Sequence, residues 1–212
     1  MITDFFNTDD NAKIEPKMKV GELSDNSSLK IQYGFFKLSK EDFEKIWKLH
    51  PEKHHEIVMM GRKVKIPRWQ DLYSDNQTLR YNFSGSYITA KPLVNATLRK
   101  ILNKVQKMYM NEDGTPKYKY NAVFLNWYSN GNHYIGAHSD DEKDLVDDAP
   151  IISITFGATR TFRIYKKIAN YKIRKLVDYK LLDGMCAQMC GDFQKEFKHE
   201  ILKEPQLQRS PN

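Results

Sequence analysis

The chain has 212 residues, 40% hydrophobic and 12% aromatic, enough apolar side chain for one buried core and too much for an intrinsically disordered chain. No apolar run approaches a bilayer span, and the first ten residues, MITDFFNTDD, lack the apolar segment of a secretory signal, so neither a membrane anchor nor export is expected. A formal net charge of +7 turns attention to polyanions such as nucleic acid without deciding the matter, and two cysteines, Cys186 and Cys190, are too few for a disulfide framework, which fits an intracellular, reducing compartment.

Residues 1–30 carry acidic and Asn- and Ser-containing stretches (NTDDNAK, GELSDNSS) with few periodic apolar positions, and read as a loosely ordered arm. Residues 31–212 read as one domain. Ser39 can cap a helix, with Asp42 three residues later in the capping-box place of Glu or Gln, and Phe43, Ile46, Trp47 and Leu49 continue its period. From Glu56 to Arg68, short alternating segments broken by Gly61 and Pro67 predict a hairpin. Tyr81 to Thr89 (YNFSGSYIT) alternates at period two and predicts a half-buried strand.

A second helix is predicted from about Pro92 to Met110, with Leu93, Ala96, Leu98, Ile101, Leu102, Val105 and Met108 on one face and Asn111-Glu112-Asp113-Gly114 ending it. Beyond it the chain reads as strands: Asn121–Tyr128, His133–His138, Ile151–Phe156, Thr161–Tyr165, Ile173–Leu182 and Met185–Cys190. Helices first and strands after predict an α+β domain or a sheet sandwich with helices on one side.

The segment Tyr134 to Asp140 ends a predicted strand with H-x-D, and side chains at i and i+2 of a strand share a face, so His138 and Asp140 can address one ion. Taken alone, a three-residue pattern arises often by chance, and a surface His–Asp hydrogen bond is its commoner meaning. His199 downstream supplies a third donor, completing the two-histidine, one-carboxylate set of non-haem iron(II) oxygenases. Zinc also accepts this donor set, although a catalytic zinc site would want a general base over its water.

The surrounding residues extend the pattern. Asn126-x-Tyr128-x-x-Gly131, His138-x-Asp140-Asp141-Glu142, Pro150-Ile151-x-Ser153-x-x-Phe156-Gly157-Ala158-x-Arg160-x-Phe162 and Met189 to Ile201 resemble the catalytic half of the AlkB family of iron(II)- and 2-oxoglutarate-dependent dioxygenases. Pro67-Arg68, Tyr81 to Gly85 and Lys91-Pro92 resemble the nucleotide-recognition lid of its DNA-repair members, so the likeness runs from about Tyr33 to the C-terminus. The resemblance implies a double-stranded β-helix (jelly-roll) core over about 118–212, with N-terminal helices and a lid over about 51–91. It also implies oxidative removal of alkyl groups from nucleobases by a monomer using Fe(2+), 2-oxoglutarate and O2. Products would be formaldehyde, CO2 and succinate.

On the same resemblance, His138, Asp140 and His199 hold the metal, and Asn126, Tyr128 and Arg209 bind 2-oxoglutarate. Phe83 stacks on the extruded base opposite His138, Tyr81 and Ser84 reach its polar edge, and Arg68, Asp141 and Glu142 complete substrate binding. Met59 and Met60, at the Gly61 turn, take the place of a wedge into duplex DNA. Lys53, Arg62, Lys63, Lys65, Arg68 and Arg80 give the lid a positive face for phosphates.

One segment departs from the family. A final strand of the form R-x-N-x-T-F-R is expected after the distal histidine, and here Arg209 is the single arginine after His199. Three alternatives to DNA dealkylation stay open on sequence: a demethylase of RNA or single strands, a nucleic-acid-binding relative without turnover, and a protein hydroxylase.

Overall fold

The computed structural model describes residues 17–207, apart from Met60, Ser84, Lys143, Asp144 and Asp147. Regular structure begins earlier than the sequence suggests: β1 (Met18–Ser24) and β2 (Ser27–Gln32) pair antiparallel across Asp25-Asn26. In SSLKIQ the alternate residues Ser27, Leu29 and Ile31 are buried, the period of a strand with one face on a core. The expectation of a loose arm is therefore corrected over 18–30. Ser27 escapes the cost of burying a hydroxyl because it donates to Glu196 Oε2 at 2.6 Å.

Helix α1 (Lys40–Trp47) starts at Ser39, whose side chain accepts from the Asp42 amide at 3.0 Å. The hairpin β3 (Glu56–Met59) and β4 (Arg62–Lys65) turns at Gly61, where φ is 73°. β5 (Trp69–Ser74) follows, a strand the sequence reading passed over. The stretch read as one strand over 81–89 is two, β6 (Arg80–Phe83) and β7 (Ser86–Thr89), because Gly85 takes a φ of 73° and reverses the chain. After β8 (Lys91–Pro92), helix α2 (Ala96–Gln106) begins at Asn95, whose Oδ1 accepts from the amides of Thr97 and Leu98. It is shorter than the periodic run from Pro92 to Met110 suggests.

The remaining elements are β9 (Ala122–Trp127), β10 (Ile135–His138), β11 (Ile151–Thr155), β12 (Arg160–Lys167), β13 (Ile173–Leu181), β14 (Met185–Gly191), a single turn α3 (Phe193–Glu196) and β15 (Phe197–Ile201). They build two four-stranded antiparallel sheets, ordered β1–β2–β14–β11 and β10–β15–β12–β13. Their inner faces share one core: Leu29, Ile31, Met185, Ala187 and Met189 from the first meet Phe162, Ile164, Leu181 and Phe197 from the second. A face-to-face sandwich of mostly antiparallel strands with few helices is consistent with a jelly-roll.

A third sheet, β8–β5–β9, positions the functional residues. In its β5–β9 register Gln70 faces Asn126 and Leu72 faces Phe124, while Trp69 faces Trp127 and Tyr73 faces Val123. The Trp69/Tyr73 side packs with α2 through Leu98 and Ile101. The Leu72/Phe124 side takes Tyr81, Phe83 and Ile88 of the β6–β7 hairpin. One face of this sheet is thus core, and the other, bearing Asn126, lies beside the hairpin. Among the described residues no helix is long and apolar enough to cross a membrane.

Candidate metal and cosubstrate site

His138 ends β10, the edge strand of its sheet, and stands directly across from His199 of β15 in the antiparallel register. Their rings lie 4.2 Å apart, centroid to centroid. Asp140 lies two residues beyond His138, past the end of the strand, so loop contacts and not strand pleat aim its carboxylate. Those contacts are the Asp140 amide donating to Gln194 Oε1 at 2.9 Å and the Ser139 hydroxyl donating to the Phe197 carbonyl at 2.8 Å.

Asp140 then bridges the two rings, with Oδ1 3.5 Å from His138 Nε2 and Oδ2 3.5 Å from His199 Nε2. One donor atom from each of the three residues falls within 4.8 Å of the others, and the two 3.5 Å separations to the carboxylate are short enough for one ion coordinated at about 2 Å. His138 Nδ1 is engaged by the Gly136 carbonyl at 2.9 Å, which as an acceptor keeps the proton on Nδ1 and leaves Nε2 with its lone pair.

The protonation states also suit a cation. Burial is the larger effect on His199 and holds its imidazole down to about 4, so the ring is neutral near pH 7. Burial pushes the Asp140 carboxyl up, but the contact with His138 and the neighbouring His199 and Arg68 outweigh it, and the group stays below the usual carboxylate range. The neutral His199 imidazole, the Nε2 lone pair of His138 and the Asp140 carboxylate form a donor set suited to a divalent cation. Phe162 and Phe193 flank the His199 ring at 5.3 and 6.0 Å and exclude water from its far side. There His199 Nδ1 is buried with no hydrogen-bond partner among the described residues. The other ring nitrogen, Nε2, is the one turned to the triad, 3.5 Å from the Asp140 carboxylate and available to a metal.

Beside the triad, Arg68 is buried and donates from Nε to Asn126 Oδ1 at 2.7 Å. Tyr128 lies under the Arg160 guanidinium, 5.2 Å from its ring centre. Arg160 is itself fixed by Glu204 and by the His133 and Leu202 carbonyls. Burial raises the Tyr128 hydroxyl, with Arg68 and Arg160 pulling the other way.

On the lid side, the Tyr81 hydroxyl lies beside the Glu142 carboxyl, which burial pushes up, and within electrostatic reach of Asp140. Tyr81 also stacks on Phe83 at 6.1 Å and touches Phe124 at 4.8 Å. The ring contact of Phe83 among the described residues is thus Tyr81, while that of His138 is His199. Asp141 is exposed and reaches Lys167 at 4.0 Å.

Ser84, Met60 and Arg209 lie outside the described residues, as does the side chain of Met59, the last residue of β3. Sequence reasoning missed Gln194, Arg160 as a partner of Tyr128, and the two phenylalanines around His199. Phe193-Gln194 stand only a few positions before the distal histidine, and that proximity was the available signal.

Residues 37–211 match the family model described as the 2OG-Fe(II) oxygenase superfamily. The chain is 36% identical to the DNA oxidative demethylase ALKBH2 of Mus musculus over 107 residues, 50% of this chain and 41% of that protein. The Homo sapiens protein of that name is 35% identical over 106 residues, 50% of this chain and 37% of its own length. Alpha-ketoglutarate-dependent dioxygenase alkB homolog 3 of Homo sapiens is 26% identical over 178 residues, 81% of this chain and 59% of that protein. The matched stretch therefore spans well under two thirds of each of these relatives. A solved structure titled "The structure of OsALKBH1" shares the fold with a TM-score of 0.53 at 18% identity, covering 92% of this chain and 91% of that one. With the family model matched over residues 37–211, the chain belongs to the 2OG-Fe(II) oxygenase superfamily, as an AlkB-type dioxygenase.

Proposed function

We propose that this chain oxidatively dealkylates N-alkylated nucleobases in DNA, consuming 2-oxoglutarate and O2 and releasing formaldehyde, CO2 and succinate. One adjacency carries the reading. The triad carboxylate Asp140 lies within electrostatic reach of the Tyr81 hydroxyl, so the metal donors and the stacked pair Tyr81 and Phe83 are neighbours. A flat aromatic surface suits a base taken out of its stack, and the Glu142 carboxyl beside Tyr81 offers a polar edge to read it.

The β3–β4 and β6–β7 hairpins serve as the lid, and every residue of β4 is exposed, which leaves Arg62, Lys63 and Lys65 free to face phosphates. The names of the ALKBH2 relatives support DNA as the polymer. Both cysteines are free thiols, which supports a reducing compartment.

His138, Asp140 and His199 would hold Fe(II), which supplies the oxidising chemistry when bound together with 2-oxoglutarate and O2. The chain's own contribution is orientation and dryness. Gln194 and Ser139 fix the loop bearing Asp140, Gly136 fixes the His138 tautomer, and Phe162 and Phe193 close the back of the site.

The test is incubation with Fe(II), 2-oxoglutarate and an N-methylated oligonucleotide, following loss of the methyl mass on single and double strands. His138→Ala, Asp140→Ala and His199→Ala should each abolish turnover without unfolding the chain, and substantial activity in folded His199→Ala would overturn the assignment. Phe83→Ala should impair base repair more than uncoupled 2-oxoglutarate decarboxylation.

A further inference from the structure

A guanidinium only donates hydrogen bonds, so the 2.7 Å contact from Arg68 Nε fixes which end of the Asn126 amide it meets: the oxygen. The NH2 end must then point away from Arg68. Asn126 is exposed at the end of β9 while Arg68 is buried, so the amide presents two N–H donors to the open side of the site. Gln70, fully buried and directly across from Asn126 in the register, has no partner on either amide atom and so does not take those donors. Among the described residues Asn126 has a partner for its oxygen and none for its nitrogen.

We infer that Arg68 is a positioning residue for the cosubstrate: it locks the Asn126 amide with its donors outward, so that the group received there is a hydrogen-bond acceptor, a carboxylate oxygen of 2-oxoglutarate. This assigns Arg68 to the cosubstrate and not to the nucleobase, and it rests on the reading of the site as a 2-oxoglutarate site. The charge environment agrees with the geometry. Tyr128, Tyr81 and Asp140 surround the guanidinium and partly offset the burial that works against its charge. Asp140 among them joins the amide lock to the metal triad.

Without Arg68 the Asn126 amide is free to turn, and a turned amide sets its oxygen against a carboxylate. The expected loss in 2-oxoglutarate affinity is about tenfold for Arg68→Met. Asn126→Asp separates positioning from structure. An aspartate there keeps a strong contact to Arg68, so the fold survives, yet it has no N–H to offer and repels the ligand.

The experiment titrates 2-oxoglutarate anaerobically into the Fe(II)-loaded wild type, Arg68→Met, Asn126→Ala, Asn126→Asp and the Arg68→Met/Asn126→Ala double variant. It reads the visible absorption of the chelate and, separately, Fe(II) affinity and thermal unfolding. The inference expects weakened 2-oxoglutarate binding in every variant, unchanged Fe(II) affinity, and a double variant no worse than Asn126→Ala alone. Additive losses in the double variant, or wild-type affinity in Asn126→Asp, would overturn it while leaving the site reading intact. A wild type that binds Fe(II) but no 2-oxoglutarate would overturn the site reading and the inference together.

Discussion

Two residues outside the triad govern how the loop between β9 and β10 is held. Gly131 exchanges backbone hydrogen bonds with the chain beyond β15, its amide donating to the Leu207 carbonyl at 2.8 Å and its carbonyl accepting from the Glu204 amide at 2.7 Å. A Cβ at Gly131 would lie 1.6 Å from the Glu204 carbonyl oxygen, which is backbone and cannot swing aside. Gly131→Ala should therefore cost about 2 kcal/mol or more in urea unfolding, by overpacking and loss of this pairing. It should also weaken 2-oxoglutarate binding, because the same loop starts at Tyr128. Glu204 makes the second claim. Its carboxylate accepts from the Thr161 amide at 3.0 Å and hydroxyl at 2.7 Å, with Arg160 and Lys180 beside it. Burial pushes this carboxyl up, but the Thr161 bonds and Lys180 prevail and hold it below 4.5. A depressed folded value means that the unfolded chain binds the proton first. The contribution of Glu204 is thus complete above 4.5 and is lost as pH falls below that value through the folded one. Glu204→Gln should lower stability at neutral pH and flatten the acid side of the curve of unfolding free energy against pH. An unchanged acid slope would place the acid sensitivity elsewhere.

At the scale of elements, β10 is an edge strand whose register to β15 holds only at Ile135–Ile201 and His138–His199, with an irregularity between. An ion shared by His138 and His199 would therefore fasten the weakest strand of that sheet to its neighbour. Binding to the folded state alone stabilises by about 2.7 kcal/mol at a free metal concentration a hundredfold above Kd. Fe(II), kept anaerobic, should raise the melting temperature and slow amide exchange along β10, and His138→Ala should remove both effects. An equal rise in that variant would mean the metal binds elsewhere. The elements also show what sequence could disclose. His138 and Asp140 were legible because both lie in one short motif, and α1 because Ser39 and Asp42 cap it locally. β15 was not, since Phe197, His199 and Ile201 alternate only briefly among charged neighbours. β5 was hidden by its own contents, since Gln70, Asp71 and Ser74 are polar yet buried and break the hydrophobic period. β2 was obscured likewise by Ser27, whose burial makes sense only once Glu196, far along the chain, has arrived. The 81–89 hairpin was misread because alternation carries straight through a glycine turn. For β2, β5 and β15 the deciding partner was distant in sequence, whereas the hairpin was decided locally by Gly85.

Taken as a whole molecule, the chain divides its labour among unequal sheets. The two four-stranded sheets share one core and carry the triad, while the β5–β9 sheet carries the Arg68–Asn126 lock between that core and the β6–β7 hairpin. The β3–β4 hairpin stands apart from this plan. Among the described residues its two strands pair with each other and join no larger sheet, and Arg62, Val64 and both flanking lysines are exposed. A two-stranded ribbon with so little buried surface opens at low free-energy cost, well below global unfolding. Its exposed residues Arg62, Lys63 and Lys65 are also the residue types after which trypsin cleaves. Under native conditions trypsin should therefore nick this ribbon first, giving two fragments that stay associated and keep the metal site, since His138, Asp140 and His199 all lie in the larger one. A methylated duplex bound across the same lysines should slow the cut, turning a proteolytic clip into a direct report of whether the ribbon meets nucleic acid.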